Sequence, residues 1–294
     1  MKPALRTSFR FWLLACAVLV LTACSAIKFT YNNADTVIRL AAWDYLDLER
    51  AQEDEFKQLI AKYMDWHRRE EMPAIAKLAG EVIERTSRRI AVTDVAWVIE
   101  QGRARYRKAS ARAAEDASPV LATLNEDQLK GLQKKFTKAN TKYEKEFLSG
   151  DEAKRVKARR KRIVDNIEEW TGDLTDAQEA RVDQFVRAHP RSAEIRMVER
   201  LRWQAEVISV LRSNREPAAL AMQLGAVFAE PERGRSDEYL RETKRWEADL
   251  AQMVVELEAT FTPEQRRRAT HRLAGLAKDI RELAGDASRP QAKL

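Results

Sequence analysis

Apolar side chains recur at spacings of three and four residues along most of this chain, and this pattern constrains the fold more than any other feature. Within residues 34–69 it includes Ile38, Tyr45, Leu59 and Trp66. Such spacing places the apolar residues on one face of an α-helix. No segment shows the sustained alternation of a β-strand, and only nine Gly and eight Pro occur in 294 residues, which favours helix. The sequence therefore predicts an all-α fold, an elongated bundle of long amphipathic helices.

Local start and stop signals divide this pattern into helices. We predict a first helix over 34–69, roughly 54 Å long, a second over 73–89, and a third capped by Thr93. Ser118-Pro119 is interpreted as a restart of the chain, because proline favours the first position of a helix. Ser149-Gly150-Asp151 is typical of a turn. Later helices are predicted near 152–171, 176–188, 191–213, 217–229, 236–260 and 263–284.

The first 24 residues have the pattern of a secretory signal. Lys2, Arg6 and Arg10 form a basic segment, and residues 11–21 are an unbroken apolar run. As a helix this run covers roughly 16 Å, about half of the hydrocarbon thickness, so it is too short to span a bilayer. Residues 21–24, Leu-Thr-Ala-Cys, then resemble the lipobox of bacterial lipoproteins. An ordinary signal peptide with a chance cysteine is the alternative.

The lipobox resemblance implies cleavage before Cys24, acylation of that cysteine with chains such as palmitate, and anchoring to a membrane. Three acyl chains exceed the two signals that stable anchoring needs. Residue 25, directly after the cysteine, is Ser and not Asp. By resemblance to enterobacterial sorting rules, this implies the outer membrane, with the body facing the periplasm. Removing the signal lowers the formal net charge from +7 to +4. Charge therefore gives no argument for a nucleic-acid partner.

These signals give an expected domain organisation. Residues 1–23 are the signal peptide and 24–33 a lipidated tether. An N-terminal helical subdomain is expected over 34–149, a C-terminal helical subdomain over 150–284, and a disordered tail over 285–294.

A five-residue pattern, apolar–Thr/Asn–x–x–Gln, begins at Leu124, Leu174 and Phe261, and Leu48 begins a degenerate copy. It has the form of a capping box, in which the Thr or Asn oxygen and the Gln side chain satisfy helix-end N–H groups reciprocally. The pattern resembles the LTxxQ motif of the Spy/CpxP-type periplasmic chaperones and stress regulators, but helix starts alone also explain it. The expected capping residues are Asn125, Gln128, Thr175, Gln178, Thr262 and Gln265.

A longer resemblance is to an uncharacterised family of proteobacterial lipoproteins, a domain of unknown function. It extends over nearly the whole mature chain. The matching segments are the lipobox, Tyr-Asn-Asn-Ala-Asp at 31–35, His-Arg-Arg-Glu-Glu-Met-Pro at 67–73, the pentad at 124–128, and 170–178. Met72 stands where the family usually has Leu. The resemblance implies a fold and a location but no established activity.

His67, Glu70 and Glu71 place an imidazole and two carboxylates on nearby faces of one helical turn. A further metal ligand is lacking, and Arg68 and Arg69 repel a cation, so the pattern disfavours zinc. The simplest interpretation is a solvated helix end with local ion pairs. Otherwise His67, Arg68, Glu70 and Glu71 form a polar junction that clamps the first two helices. An enzyme with an unrecognised site near His67 and Glu70 is the alternative.

Residues 154–162 hold the densest positive charge of the chain. Seven basic residues on more than two helical turns must cover most of the circumference. They form either a solvated face with intrahelical ion pairs or a contact with lipid headgroups, lipopolysaccharide phosphates or acidic unfolded clients. These residues are Lys154, Arg155, Lys157, Arg159, Arg160, Lys161 and Arg162.

The motifs of common catalytic sites are lacking: the sequence has no G-x-S-x-G, no phosphate-binding glycine loop and no H-E-x-x-H. Mature tryptophans are expected in the core, since a carbohydrate-binding row would need several exposed together. We therefore expect no enzyme, cofactor or metal, and no nucleic-acid partner. The expected function is a lipid-anchored binding or scaffolding factor with a protein or cell-envelope partner. The alternative is a Spy/CpxP-like chaperone.

Overall fold

The computed structural model describes residues 27–230 and 232–286, and this part of the chain is all-α, as predicted. Residues 27–32, expected to belong to a tether, are helical. Two π-helical turns interrupt the α-helices, at His67–Glu71 and Glu144–Leu148. The α-helices are α1 (Ala34–Leu46), α2 (Arg50–Trp66), α3 (Met72–Thr86), α4 (Val92–Ala122), α5 (Glu126–Tyr143), α6 (Glu152–Thr171), α7 (Asp176–Ala188), α8 (Ser192–Ser213), α9 (Pro217–Ala229), α10 (Asp237–Ala259) and α11 (Pro263–Asp286).

Some predictions concern residues outside this description. The signal peptide at 1–23 and the lipidated Cys24 lie there, as does the expected tail from 287 onward. Gly285 and Asp286, assigned to that tail, belong to the last turn of α11. None of the described helices is long and apolar enough to cross a membrane.

The larger of two buried clusters lies between α1, α2, α4, α5, α8 and α9. Val120, Leu129, Leu220 and Leu224 are fully buried in it. Helix α9 packs along α4 and next to α8, so this core takes side chains from both sides of residue 150. The expected subdomain boundary there stays a prediction.

The smaller cluster lies between α6, α7 and α10. It buries Val164, Val182, Phe185 and Met253, with Trp246 partly buried against it. Helix α11 packs against α6 and along α3, which brings the last helix of the chain beside an early one. The groove described below lies where α3 and α11 meet the end of α10.

The predicted unbroken helix over 34–69 is wrong. Helix α1 ends at Leu46, and Asp47 adopts a left-handed conformation with φ of 47°. Helix α2 then starts with a capping box in which the Glu49 N–H donates to Gln52 Oε1 at 2.9 Å. The degenerate pentad is therefore a helix start like the other three, and its Glu49 takes the place of Thr or Asn.

The predicted helix end before Pro73 is also wrong. The helix continues through the π turn at His67–Glu71 into α3. Pro73 lies in the first turn of α3, directly after this π turn.

The predicted restart at Ser118-Pro119 is wrong because Pro119 lies inside α4. A proline inside a helix removes the N–H that would bond the carbonyl four residues earlier. That carbonyl belongs to Glu115, and the Ser118 hydroxyl donates to it at 2.9 Å. The neighbouring serine thus replaces the lost hydrogen bond, and α4 runs for 31 residues.

The four pentads meet in two pairs, which we call the glutamine clasps. In the first clasp Gln128 Nε2 donates to Gln52 Oε1 at 2.7 Å. In the second, Gln178 Nε2 donates to Gln265 Oε1 at 3.0 Å, and Gln265 Nε2 donates back to Gln178 Oε1 at 2.9 Å. Each Oε1 also accepts the N–H of its own capping residue. The clasps therefore link capping boxes that are distant in the sequence.

Each glutamine also donates to a backbone carbonyl just after the helix that precedes its partner's pentad. In the second clasp Gln178 donates to the Thr260 carbonyl at 3.1 Å and Gln265 to the Asp173 carbonyl at 2.8 Å. In the first clasp Gln52 and Gln128 donate to the carbonyls of Thr123 and Asp47 at 3.3 and 2.8 Å. Because carbonyls at helix ends lack intrahelical partners, each clasp stabilises the ends of four helices.

We expect Gln178→Ala to lower the free energy of unfolding by about 1–3 kcal/mol, because the buried amide of Gln265 loses its partner. Urea unfolding followed by circular dichroism measures this change. Gln58→Ala is the matched control, since Gln58 is exposed on α2, and it should change stability by no more than about 0.5 kcal/mol. Equal effects of the two substitutions would contradict a structural role for the clasp.

Candidate functional site

The residues expected to form a polar junction lie together at the π turn. Tyr31 Oη and His67 Nδ1 are 2.9 Å apart, and Arg68 donates to Asn32 Oδ1 at 3.2 Å. The Arg68 guanidinium also stacks on the Tyr31 ring at 5.0 Å. The two segments at 31–35 and 67–73 are therefore in contact, and the junction holds the residues before α1 against the π turn. This differs from the expected clamp between the first two helices.

Glu71 and Glu70 face different surroundings. The Glu71 carboxylate is buried, with Lys108 Nζ 2.6 Å from Oε1 and Arg105 3.4 Å from Oε2. Glu70 is exposed, and the same lysine lies 3.8 Å from it. The predicted solvated helix end is thus wrong for Glu71, which ties the π turn to α4.

Burial changes the titration of the two ring groups in the junction. It lowers the pKa of His67, against the attraction of Glu71, and it raises the pKa of Tyr31 to about 12. The imidazole is therefore neutral near pH 7 and the phenol keeps its proton. A neutral histidine bonded to a tyrosine can serve as a rigid polar contact.

The basic run on α6 divides into engaged arginines and exposed lysines. Arg159 donates to the Pro190 carbonyl at 2.7 Å, Arg160 pairs with Glu179, and Arg162 stacks on the Phe147 ring at 4.5 Å. Arg155 lies 3.6 Å from Glu194. Lys154, Lys157 and Lys161 are exposed. Lys161 pairs with Asp165 at 2.8 Å, whereas Lys154 and Lys157 form no ion pair with any described residue. Whether this run binds an anionic partner stays a prediction.

Within the described residues, no three His, Cys, Asp or Glu side chains converge as metal ligands. The capping residues of the pentads lie in the clasps, at helix ends. These sequence-selected positions therefore have structural contacts, and none of them lines the groove described next.

An apolar groove of about 850 Å³ lies between the end of α3, the end of α10 and the first half of α11. Its volume lies within the usual range for ligand pockets. Partly buried apolar side chains form its floor, and Trp170 stands at one edge. The floor includes Ile83, Ile90, Val254, Phe261, Ala269 and Leu273.

Three arginines and one glutamate line the groove: Arg88, Arg89, Arg266 and Glu258. Arg266 pairs with Glu258. Arg89 is exposed and forms no ion pair with any residue that the structure describes. The rim is therefore positive around an apolar floor.

Asp94 fixes the segment between α3 and α4 that carries this rim. Its carboxylate lies 2.8 Å from both Arg85 and Arg88 and accepts the Ala91 N–H at 2.9 Å. The hydrogen bonds from Arg88, Ala91 and Arg85 lower the pKa of Asp94 to about 2. The carboxylate thus stays ionised at neutral pH and holds Arg88 at the edge of the groove.

Sequence reasoning missed this groove. Val254, Phe261 and Leu273 belong to regular apolar stripes, and a stripe does not show whether its face is fully covered. The pair Arg88-Arg89 after α3 was the one local sequence signal for the positive rim of this groove.

We expect stability to decrease as pH falls from about 7 to about 5. The unfolded chain binds a proton at each histidine near pH 6.5, whereas burial lowers the pKa of His67 and of His189 in the folded state. His67→Gln should show a smaller loss over this interval in urea unfolding. His271→Gln, at an exposed position, should behave like the wild-type protein. An unchanged pH dependence in His67→Gln would contradict the buried neutral imidazole.

Comparison with known proteins identifies a family but no activity. No curated protein matches the chain significantly, and no solved structure does so either. A family model does match residues 44–241, about two thirds of the chain, including the π turn, α3 and the segment Arg88–Ile90 at the groove. The expectation of an uncharacterised domain is thereby confirmed, and the chain belongs to the family of unknown function DUF6279.

Proposed function

We propose that this protein is a non-catalytic binding factor, anchored through lipid on Cys24 in the outer membrane and facing the periplasm. The observation that carries the proposal is the groove between α3, α10 and α11, with its apolar floor and positive rim. Its occupant is an extended polypeptide segment with apolar and acidic side chains.

The groove chemistry favours a polypeptide of this kind. Apolar side chains of the segment would bury the floor around Phe261 and Leu273, and burial of apolar area drives association. Acidic side chains would meet Arg88 and Arg89 at the rim, which adds specificity more than affinity.

The surface near the proposed anchor supports membrane attachment. Phe29, Val37, Leu40 and Trp43 lie on one side of the residues before α1 and of α1 itself, and are 69%, 57%, 58% and 58% exposed. Phe29 is five residues from Cys24, which spans at most about 18 Å. Apolar and aromatic side chains on a helix favour the interface of a bilayer. This strip therefore suits a position against the membrane surface.

A chaperone of the Spy/CpxP type is the second candidate function. The open groove and the exposed apolar side chains Val198 and Met222 favour it, because unfolded clients present apolar segments. Suppression of the aggregation of a model client would distinguish a general chaperone from a factor with one partner.

We expect Cys24→Ala to abolish incorporation of labelled palmitate and to leave the protein outside the outer-membrane fraction, because the acylated thiol is lost. Metabolic labelling followed by membrane fractionation measures both. Cys16→Ala is the matched control and should be labelled and sorted like the wild-type protein. Labelling of Cys24→Ala at the wild-type level would contradict the proposed anchor.

We expect a photo-crosslinking amino acid at Thr270, on the groove wall, to form adducts with polypeptide in intact cells. Adding Ala274→Trp should fill part of the groove and reduce the adducts about tenfold. A tenfold loss of affinity corresponds to about 1.4 kcal/mol of binding free energy. Ala274 lines the groove and is exposed.

Ala248→Trp is the control for the added ring, since Ala248 is exposed elsewhere, on α10. It should leave the adducts unchanged. Adducts that persist in Ala274→Trp would place the partner outside the groove.

A further inference from the structure

A cleft on another part of the molecule, between α4, α8 and α10, joins three cavities of about 240, 260 and 700 Å³. Tyr239 lines all three, and Tyr106 and Arg196 each line two of them. None of these residues lines the groove of the proposed function.

Arginines are concentrated in the 260 Å³ cavity, which Arg196, Arg200 and Arg235 line together. Arg200 is held from behind, because its Nε donates to Asn140 Oδ1 at 2.7 Å. Asn140 in turn exchanges two hydrogen bonds with Gln204, at 2.7 and 3.1 Å, and both amides are buried. A buried amide pair thus fixes the position of a guanidinium at the cavity wall.

The one carboxylate of this cavity is already neutralised. Glu199 is buried and accepts hydrogen bonds from the Ser236 N–H and hydroxyl at 3.0 and 2.8 Å. Arg202 and Arg235 lie 2.8 and 3.4 Å from it. Burial raises the pKa of Glu199, but these hydrogen bonds outweigh it and lower the pKa to about 2. Glu199 is therefore ionised and positions Arg235.

Two arginines of the cavity remain without a carboxylate. Arg196 is exposed and stacks on the Trp246 ring at 5.2 Å. Neither Arg196 nor Arg200 forms an ion pair with any residue in the described part of the chain, although 33 ion pairs occur there. Uncompensated, positioned guanidinium groups are the usual means of binding a phosphate or carboxylate.

The adjoining 240 Å³ cavity has the composition of a saccharide site. Trp246 and Tyr239 line it, with Arg196 stacked on the first ring and Arg235 on the second. Ser192, Thr243 and Glu242 supply hydroxyl and carboxylate groups that can bond sugar hydroxyls. Arg196 lines both cavities. A ligand that spans them would place its anionic group beside the arginines and its ring on the aromatic side.

We propose that this cleft binds a phosphorylated saccharide, with the phosphate held by Arg196 and Arg200 and the sugar ring against Tyr239 and Trp246. Phosphate fits better than carboxylate because it carries close to two negative charges at neutral pH, which the two uncompensated guanidinium groups of Arg196 and Arg200 balance. The site is independent of the anchor and of the groove.

Isothermal titration calorimetry of the full-length protein with glucose 1-phosphate tests this. We expect glucose 1-phosphate to bind. Glucose and inorganic phosphate should each bind about tenfold more weakly, since each makes only part of the contacts. Arg200→Gln should weaken glucose 1-phosphate binding at least tenfold. Arg241→Gln is the matched control, at an exposed position on α10, and should bind like the wild-type protein.

Arg196→Gln provides a second variant that does not depend on a buried network, since Arg196 is exposed. It should weaken glucose 1-phosphate binding with an unchanged melting temperature. Displacement of bound glucose 1-phosphate by lipopolysaccharide vesicles would identify a glycolipid headgroup as the source, and displacement by free sugar phosphates alone would identify a soluble ligand.

Three outcomes would overturn the proposal. The first is no heat of binding for glucose 1-phosphate, and the second is wild-type affinity in Arg200→Gln. The third is equal binding of inorganic phosphate, glucuronate and glucose 1-phosphate, which would show an unspecific anion site. Each is separate from failure of the anchor or the groove, because neither takes part in the titration.

Discussion

The reciprocal amide pair of each glutamine clasp is the interaction on which the arrangement of helices depends. A glutamine side chain has one acceptor and two donor hydrogens, and here it serves its own capping residue, its partner glutamine and the end of a distant helix. A glutamate could not donate, and a shorter amide would not reach back to the cap. The partners are 76 and 87 residues apart in the sequence. Two small polar contacts thus link helix ends that are distant in the sequence.

The position of the groove follows from the second clasp. Gln265 and Gln178 hold the end of α10 and the start of α11 against the turn between α6 and α7. Phe261, the apolar residue of that pentad, lies on the groove floor, and Trp170 at the end of α6 stands at its edge. The clasp therefore brings both aromatic side chains to one surface. The proposed binding surface and the capping boxes belong to one structural unit.

Local signals predicted much of the fold, and interactions between distant residues decided the rest. Helices α6, α7 and α9 have the bounds that their caps and prolines predicted, because a cap acts within one turn. The break at Asp47 and the continuation through Pro119 were missed although the contacts responsible are local, because Glu49 is an unusual capping residue and a serine hydroxyl rarely replaces the hydrogen bond that proline removes. The sequence pattern of a capping box is the same whether or not its glutamine bonds the glutamine of a second capping box. The clasps, the groove and the cleft could therefore not be predicted.

Charge density and available charge are different properties in this protein. The run at 154–162 is the most basic segment of the sequence, yet Arg155, Arg159 and Arg160 bind carboxylates or helix-end carbonyls within the fold. Arg196 and Arg200 lie in a less basic segment and have no carboxylate partner among the described residues. An anion gains most from guanidinium groups that are positioned but not yet neutralised. Partner geometry, and not local composition, therefore determines which arginines of the described residues lack a carboxylate partner.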